Sequence, residues 1–291
     1  MEQRIKLTIA YLGTKFHGWQ RQPSQCTVQG ELERALAAMT GGIAAAVVGA
    51  GRTDTGVHAA GQVAHVDLPI AIPPSGLQKG LNQHLPQEIR VRAVRRAPPE
   101  FHARKSAHGK LYTYRVRWRE AALPWLGLRT ATLDPITSVT NLEAAIRLLP
   151  GHHDMASFTL PGATDGPTSR TLYDVRCRRR QSAYDIEILG DGFLRYQVRR
   201  MVGALLGVAR DRLTVADFGQ LLDHPRAGAS LLTAPARGLT LEHVYYRDAA
   251  KLRNPARGGL ARSARGTATS TIARASNPSN DGPVVDSEPP G

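Results

Sequence analysis

Ile5, Leu7, Ile9 and Tyr11 alternate with Lys6, Thr8 and Ala10 near the start of the chain. In KLYTYRVRW (110–118), Tyr112, Tyr114, Val116 and Trp118 alternate with Thr113, Arg115 and Arg117. A period of two sends successive side chains to opposite faces, so each stretch predicts a strand with one face buried. The same order of patterns follows both. After the first strand and the loop GTKFHGWQRQPSQ, Thr27 can cap a helix that carries Val28, Leu32, Leu36 and Met39 on one face. Strands are predicted around 44–50 and 62–68, a short helix over 75–82, and a strand over 89–94. After the second strand come a helix over 141–149, strands near 172–179 and 184–189, and an amphipathic helix marked by Leu194, Val198, Met201, Val202, Leu205 and Leu206. A helix near 214–222 and the strand LTLEHVYY (239–246) complete the pattern. The expected fold is α+β, with two tandem βαββαβ halves of the ferredoxin-like or RRM-like kind over residues 1–105 and 106–248. Its sheet would be mainly antiparallel, and a ligand would bind in the cleft between the halves.

The pattern stops near residue 249. From there to Gly291 the chain is Ala, Arg, Ser, Gly, Pro and Thr with almost no large apolar side chains, and is expected to be disordered, because it cannot bury enough surface to offset its ordering entropy. Its six basic and three acidic residues leave the remaining body with +11 of the chain's +14 net charge. A body that basic favours polyanionic partners, nucleic acid first, because cationic patches gain from releasing phosphate counterions. Cys26 and Cys177, about half the chain apart, make neither a disulfide framework nor a zinc spacing. The N-terminus MEQRIKLTIAYLG has no signal-peptide core and no apolar run is long enough for a bilayer, so the expected setting is the cytoplasm.

The stretch GAGRTDTGVHAAG (49–61) places one acid, Asp54, between Arg52 and His58 among glycines. A dinucleotide fingerprint would need a third glycine where Asp54 stands, and a carboxylate there would repel pyrophosphate. Two readings remain about equally matched on this fragment. Either Asp54 caps a tight turn, as in a non-catalytic basic RNA-binding protein, or it is a catalytic carboxylate. The connection spends roughly ten residues where two suffice for a hairpin. His58 and His65, and the cluster His152-His153-Asp154, match no common zinc spacing and are expected to be solvated loop residues. No G-x-S-x-G elbow is present. Arginines gather at 90, 92, 95 and 96, at 176, 178, 179 and 180, and at 195, 199 and 200. Several such clusters on one body suggest an extended phosphate-binding surface, with Tyr112 and Tyr114 available to stack on bases.

GAGRTDTGVHAAGQV closely resembles the catalytic motif of the tRNA pseudouridine synthase A family. FHGWQRQ (16–22), FHARKSA (101–107), SRT (169–171), FLRYQVRRMVG (193–203) and TAPARGL (233–239) follow in the family's order, so the resemblance covers about residues 4–247. It implies the pseudouridine synthase fold. It also implies isomerisation of uridine to pseudouridine at positions 38, 39 or 40 of the tRNA anticodon arm, by a homodimer that uses no metal or organic cofactor. Matched by motif, Asp54 is the essential acid and Tyr112 packs on the target base. Arg199 pairs with the acid, and Arg52 helps to hold the flipped nucleotide. Thr55 departs from the alanine of many relatives, and the tail from 249 is long for the family.

Overall fold

The computed structural model describes residues 3–118, 129–163, 166–180 and 183–247. The segment from 249 onward, expected to be disordered, lies outside the described residues. Strand β1 (Gln3–Tyr11) buries Ile5, Leu7, Ile9 and Tyr11 on one face, as its alternation requires. Helix α1 (Val28–Met39) starts at Thr27, whose side chain accepts from the Gly30 N–H, and its buried Val28, Leu32, Ala35 and Leu36 form one stripe. Strand β2 is only Val48–Gly49, shorter than expected, because the Val47 N–H donates to the Glu33 carboxylate and is lost to a ladder. Strand β3 (His58–Leu68), helix α2 (Pro74–His84) and strand β4 (Ile89–Arg96) follow.

Strand β5 (Gly109–Trp118) opens the second half. Two short strands absent from the sequence reading follow it, β6 (Ala131–Leu133) and β7 (Gly151–Asp154), with helix α3 (Val139–Arg147) between them. The remaining elements are β8 (Ser169–Arg180), β9 (Ala183–Gly190), α4 (Gln197–Val208), α5 (Val215–Asp223) and β10 (Leu239–Tyr245). Helix α4 begins three residues later than the apolar pattern suggests, because Tyr196 is held at φ 65° in the left-handed region and cannot be helical. The helix is buried almost all round, including Met201, Val202 and Leu205, and packs against α3 and α5.

All ten strands belong to one mostly antiparallel sheet. Its central order is β4-β1-β3-β10-β5-β9-β8-β7, with β2 beside β3 and β6 beside β5. Two pairings are parallel, β3 with β10 and β5 with β6. One edge of β3 pairs with β1 along its length. Its other edge is divided: Ala64 and His65 face β2, while His58 and Ala59 face β10. The connection Ala50–Val57 leaves β2 and returns to β3 at this divided edge. The single β3–β10 pairing therefore joins the two groups of strands where the Asp54 loop lies.

Candidate active site

The loop that carries Asp54 is clamped from three directions. The Trp19 N–H donates to the Thr53 carbonyl at 3.1 Å, and the Tyr11 hydroxyl lies 2.9 Å from the Thr53 hydroxyl. Gln62 on β3 donates to the Gly51 carbonyl at 2.8 Å. The loop closes on itself through the Val57 N–H to the Asp54 carbonyl at 3.1 Å. The neighbouring segment approaches closely because residue 18 has no side chain. Gly18 sits at φ +85°, and a Cβ there would stand 2.7 Å from the Thr53 carbonyl oxygen. So the glycine of FHGWQRQ shapes the Asp54 loop from outside it.

Arg199, on the first turn of α4, reaches the acid. Its Nη1 donates to Asp54 Oδ2 at 3.3 Å, and its Nε donates to the Ala234 carbonyl at 2.8 Å. Ala234 returns a bond, its N–H donating to the Arg199 carbonyl at 3.0 Å. That places the segment 233–239 against α4 and gives the guanidinium a fixed fork between a backbone carbonyl and a carboxylate. Both side chains are mostly covered, at 15% and 19% exposure. Burial pushes the Asp54 carboxyl above the ordinary carboxylate range, while the Arg199 and Arg195 guanidiniums pull it back. The structure shifts it upward because desolvation outweighs the two cations.

Tyr112 on β5 is covered to 6% exposure and meets Phe193 edge-on, with ring centroids 5.2 Å apart. Burial, then the neighbouring Tyr11 and the Asp54 charge, hold its phenol protonated far above the usual range. Tyr114, considered as a second stacking residue, is instead core: it is fully buried and donates to the Pro235 carbonyl at 3.0 Å. Arg52 lies two residues before Asp54 with its side chain exposed and, among the described residues, without a hydrogen-bond or ion-pair partner. The structure thus brings Asp54 and Arg199 together, sets Tyr112 within electrostatic reach of Asp54, and leaves Arg52 at the loop surface.

Several expectations change. His58 and His65 are not solvated loop residues; both are buried in β3. The Gly13 N–H donates to His58 Nδ1 at 3.0 Å, and Nε2 faces the Arg237 carbonyl at 3.1 Å. His152, His153 and Asp154 form β7. Among the described residues no group of three or more His, Cys, Asp or Glu side chains gathers as metal ligands would. The arginine cluster on β8 is largely neutralised by acids beside it: Arg176 with Asp174 at 2.6 Å, Arg178 with Glu187 at 3.2 Å and Arg180 with Asp185 at 3.3 Å. Arg200, next to Arg199 in sequence, turns the other way. It is buried and donates to the carbonyls of Ala229, Leu231 and Ser157. The sequence gives Tyr11 a place on a strand face but no role at the site, and it gives none to Gln62 or Phe193, although both lie inside matched motifs.

The family model described as tRNA pseudouridine synthase matches residues 7–104 and 145–247, the stretches that hold the Asp54 loop and Arg199. Proteins named tRNA pseudouridine synthase A are similar along nearly their whole length. The one from Ligilactobacillus salivarius (strain UCC118) is 39% identical over 249 residues, covering 84% of this chain and 97% of the relative. The one from Geobacillus kaustophilus (strain HTA426) is 40% identical over 252 residues, with 85% and 96% covered. That of Maridesulfovibrio salexigens is 40% identical over 248 residues, with 84% and 90% covered. No helix among the described residues is long and apolar enough to cross a membrane. With the Asp54 loop and Arg199 both inside the matched stretches, the chain belongs to the tRNA pseudouridine synthase family.

Proposed function

We propose that Asp54 performs the covalent or proton-transfer step by which this enzyme, an isomerase acting on tRNA, converts uridine to pseudouridine. The observation that supports this role best is the Asp54–Arg199 ion pair at the divided edge of β3. Isomerisation breaks the bond from C1′ to N1, turns the freed uracil and joins C1′ to C5. N1 gains a proton and C5 loses one, so the product has the composition of the substrate. A carboxylate can serve this sequence as a nucleophile toward C1′ or C6, or as a base toward the ribose. Arg199 orients the carboxylate and favours its ionised form.

The remaining roles rest on the same assignment. The target uridines are one or more of those at positions 38, 39 and 40 of the anticodon arm, and a base taken out of its stack needs an apolar face to replace its neighbours. Tyr112, braced by Phe193, is suited to that contact, and Arg52 is free to hold the extruded nucleotide. The body reads as two βαββαβ halves, residues 1–105 and 106–248. The support is that β4-β1-β3-β2 and β10-β5-β9-β8 share one internal order, with β6, β7 and α5 added to the second. The working form is a cytoplasmic homodimer, and the segment from 249 is dispensable for chemistry.

Tritium release from tRNA labelled at uridine C5 tests the central claim, because only formation of the C1′–C5 bond frees that hydrogen to water. Wild type is expected to release tritium and Asp54→Asn to release none while still binding tRNA. Equal release by both, or none by either, would overturn the assignment. The second outcome would leave a basic RNA-binding protein whose Asp54 only caps a turn.

A further inference from the structure

Several cations of this surface already have acid partners. Arg4 pairs with Asp67, Arg21 with Glu33, Arg34 with Glu31 and Arg115 with Glu242, in addition to the three pairs on β8. Lys110, which lies along Gly51 of the Asp54 loop, and two arginines whose charges reach it differ. Arg104 and Arg170 depress the Lys110 ammonium, yet none of the three is in an ion pair among the described residues. Burial and these two guanidiniums bring Lys110 down to about 8.

Geometry places this group beside the catalytic loop. Lys110 and Tyr112 are two apart on β5, so both point to the same face of the sheet. The Lys110 side chain lies along Gly51, three residues before Asp54: a carbon on Gly51 would stand 3.5 Å from Cε and 3.6 Å from Nζ. Lys110 pairs across the ladder with Gly190 of β9, and Gly190 pairs in turn with Leu172 of β8, where Arg170 lies two residues away. Arg170 Nη1 donates to the carbonyls of Pro167 and Ser169, which fix the guanidinium without neutralising it. A carbon on Gly192 would stand 3.7 Å from its Nε. The nearby acid, Asp191, spends Oδ2 on the Thr171 N–H at 3.0 Å and makes no ion pair with Lys110. Its other oxygen, Oδ1, is buried without a partner.

Like charges at Lys110 and Arg170, with one partly committed acid nearby, repel one another unless an anion is supplied. In an enzyme whose substrate carries one negative charge per nucleotide, that anion is at hand. We propose that Lys110 and Arg170 form a subsite for a backbone phosphodiester of the RNA, beside the nucleotide that Asp54 engages. The subsite is distinct from the Asp54–Arg199 pair and rests on the assignment of tRNA as substrate.

The salt dependence of binding reads it out. Each phosphate contact adds about 0.7–0.9 to the slope of log K against log salt concentration, so its loss removes about threefold from the change in affinity between 50 and 200 mM salt. Binding of a tRNA transcript with uridines at 38–40 is measured by full-length protein carrying Asp54→Asn, which stops turnover. Adding Lys110→Gln or Arg170→Gln is expected to lower the slope by about 0.7–0.9 each, and Lys110→Arg to restore it. If Lys110→Gln does not fold, Arg170→Gln and Lys110→Arg still carry the comparison. An unchanged slope in the glutamine variants overturns the subsite, whatever happens to turnover. Tritium release by the otherwise wild-type enzyme separates the two claims: release with an unchanged slope rejects this subsite alone, and no release rejects the catalytic assignment.

Discussion

Arg199 donates to Asp54 at 3.3 Å across 145 residues of sequence, and holds the Ala234 carbonyl with the same guanidinium. A lysine could offer one point charge there but not the fork. Arg199→Gln is therefore expected to lower kcat by roughly 100–1,000-fold, the usual scale for losing a preorganised charge. The pH profile adds a signature. An ionised Asp54 makes the rate fall as pH drops through the pKa of its carboxyl. Arg199 pulls that carboxyl down against its burial, so removing the guanidinium moves the acid limb of kcat/KM to higher pH. A profile whose acid limb stays in place would count against the pair.

Tyr112 offers a ring rather than a proton. Its hydroxyl is buried and held protonated, and the ring meets Phe193 edge-on. Tyr112→Phe is expected to keep turnover within about threefold. Tyr112→Ala should lose far more turnover than tRNA affinity. A buried aromatic cut to alanine also costs about 3–5 kcal/mol, so the melting temperature must be followed alongside. Comparable losses in turnover and binding for Tyr112→Ala would assign the ring to binding alone.

The arginines of β8 provide the contrast to Lys110. Arg178 and Arg180 spend their charges on Glu187 and Asp185, across the ladder from β9. Partly exposed pairs of this kind contribute up to about 1 kcal/mol each. Replacing both arginines with glutamine is expected to shift stability by no more than that sum and to change the salt slope of tRNA binding by less than one phosphate contact, about 0.7–0.9. A larger fall in slope would show that RNA displaces the acids.

That cluster also marks where the sequence misleads. Runs of arginine are visible in a string, but two of the three acids that neutralise them, Glu187 and Asp185, sit on the neighbouring strand, and only the β8–β9 register sets them diagonal to Arg178 and Arg180. The long strands were legible because burial imposes a period of two on β1 and β5, and α4 because its apolar stripe is continuous. Strands β6 and β7, three and four residues long, are too short to show a period. The Asp54 loop was legible through its motif. Its clamp was not, because Tyr11 and Trp19 reach Thr53 from segments whose own patterns say only strand and loop. His58 looked solvated among glycines, and its burial depends on Gly13 and on Arg237, 179 residues away.

His58 yields the last expectation. Its ring accepts from the Gly13 N–H through Nδ1 and, as the neutral tautomer protonated at Nε2, donates to the Arg237 carbonyl, tying the start of β3 to segments before and far after it. Burial and the Arg129 cation, then Arg115, outweigh the Arg237 carbonyl and push the ring down to about 4. An unfolded histidine titrates near 6.5. Above that pH neither state binds the proton, and His58 adds no pH dependence. Between about 6.5 and 4 the unfolded chain takes up a proton that the folded ring refuses, so stability falls as the solution is acidified. His58→Gln should melt lower at neutral pH, by about 1–3 kcal/mol for a disrupted buried polar group. It should also lose less stability than wild type on going from pH 7 to pH 4.5. His65 and His243 are depressed as well and contribute to both proteins, so the difference between the two pH profiles isolates residue 58. Parallel profiles would mean that the folded ring accepts a proton as readily as the unfolded one, which its two bonds to the backbone do not permit.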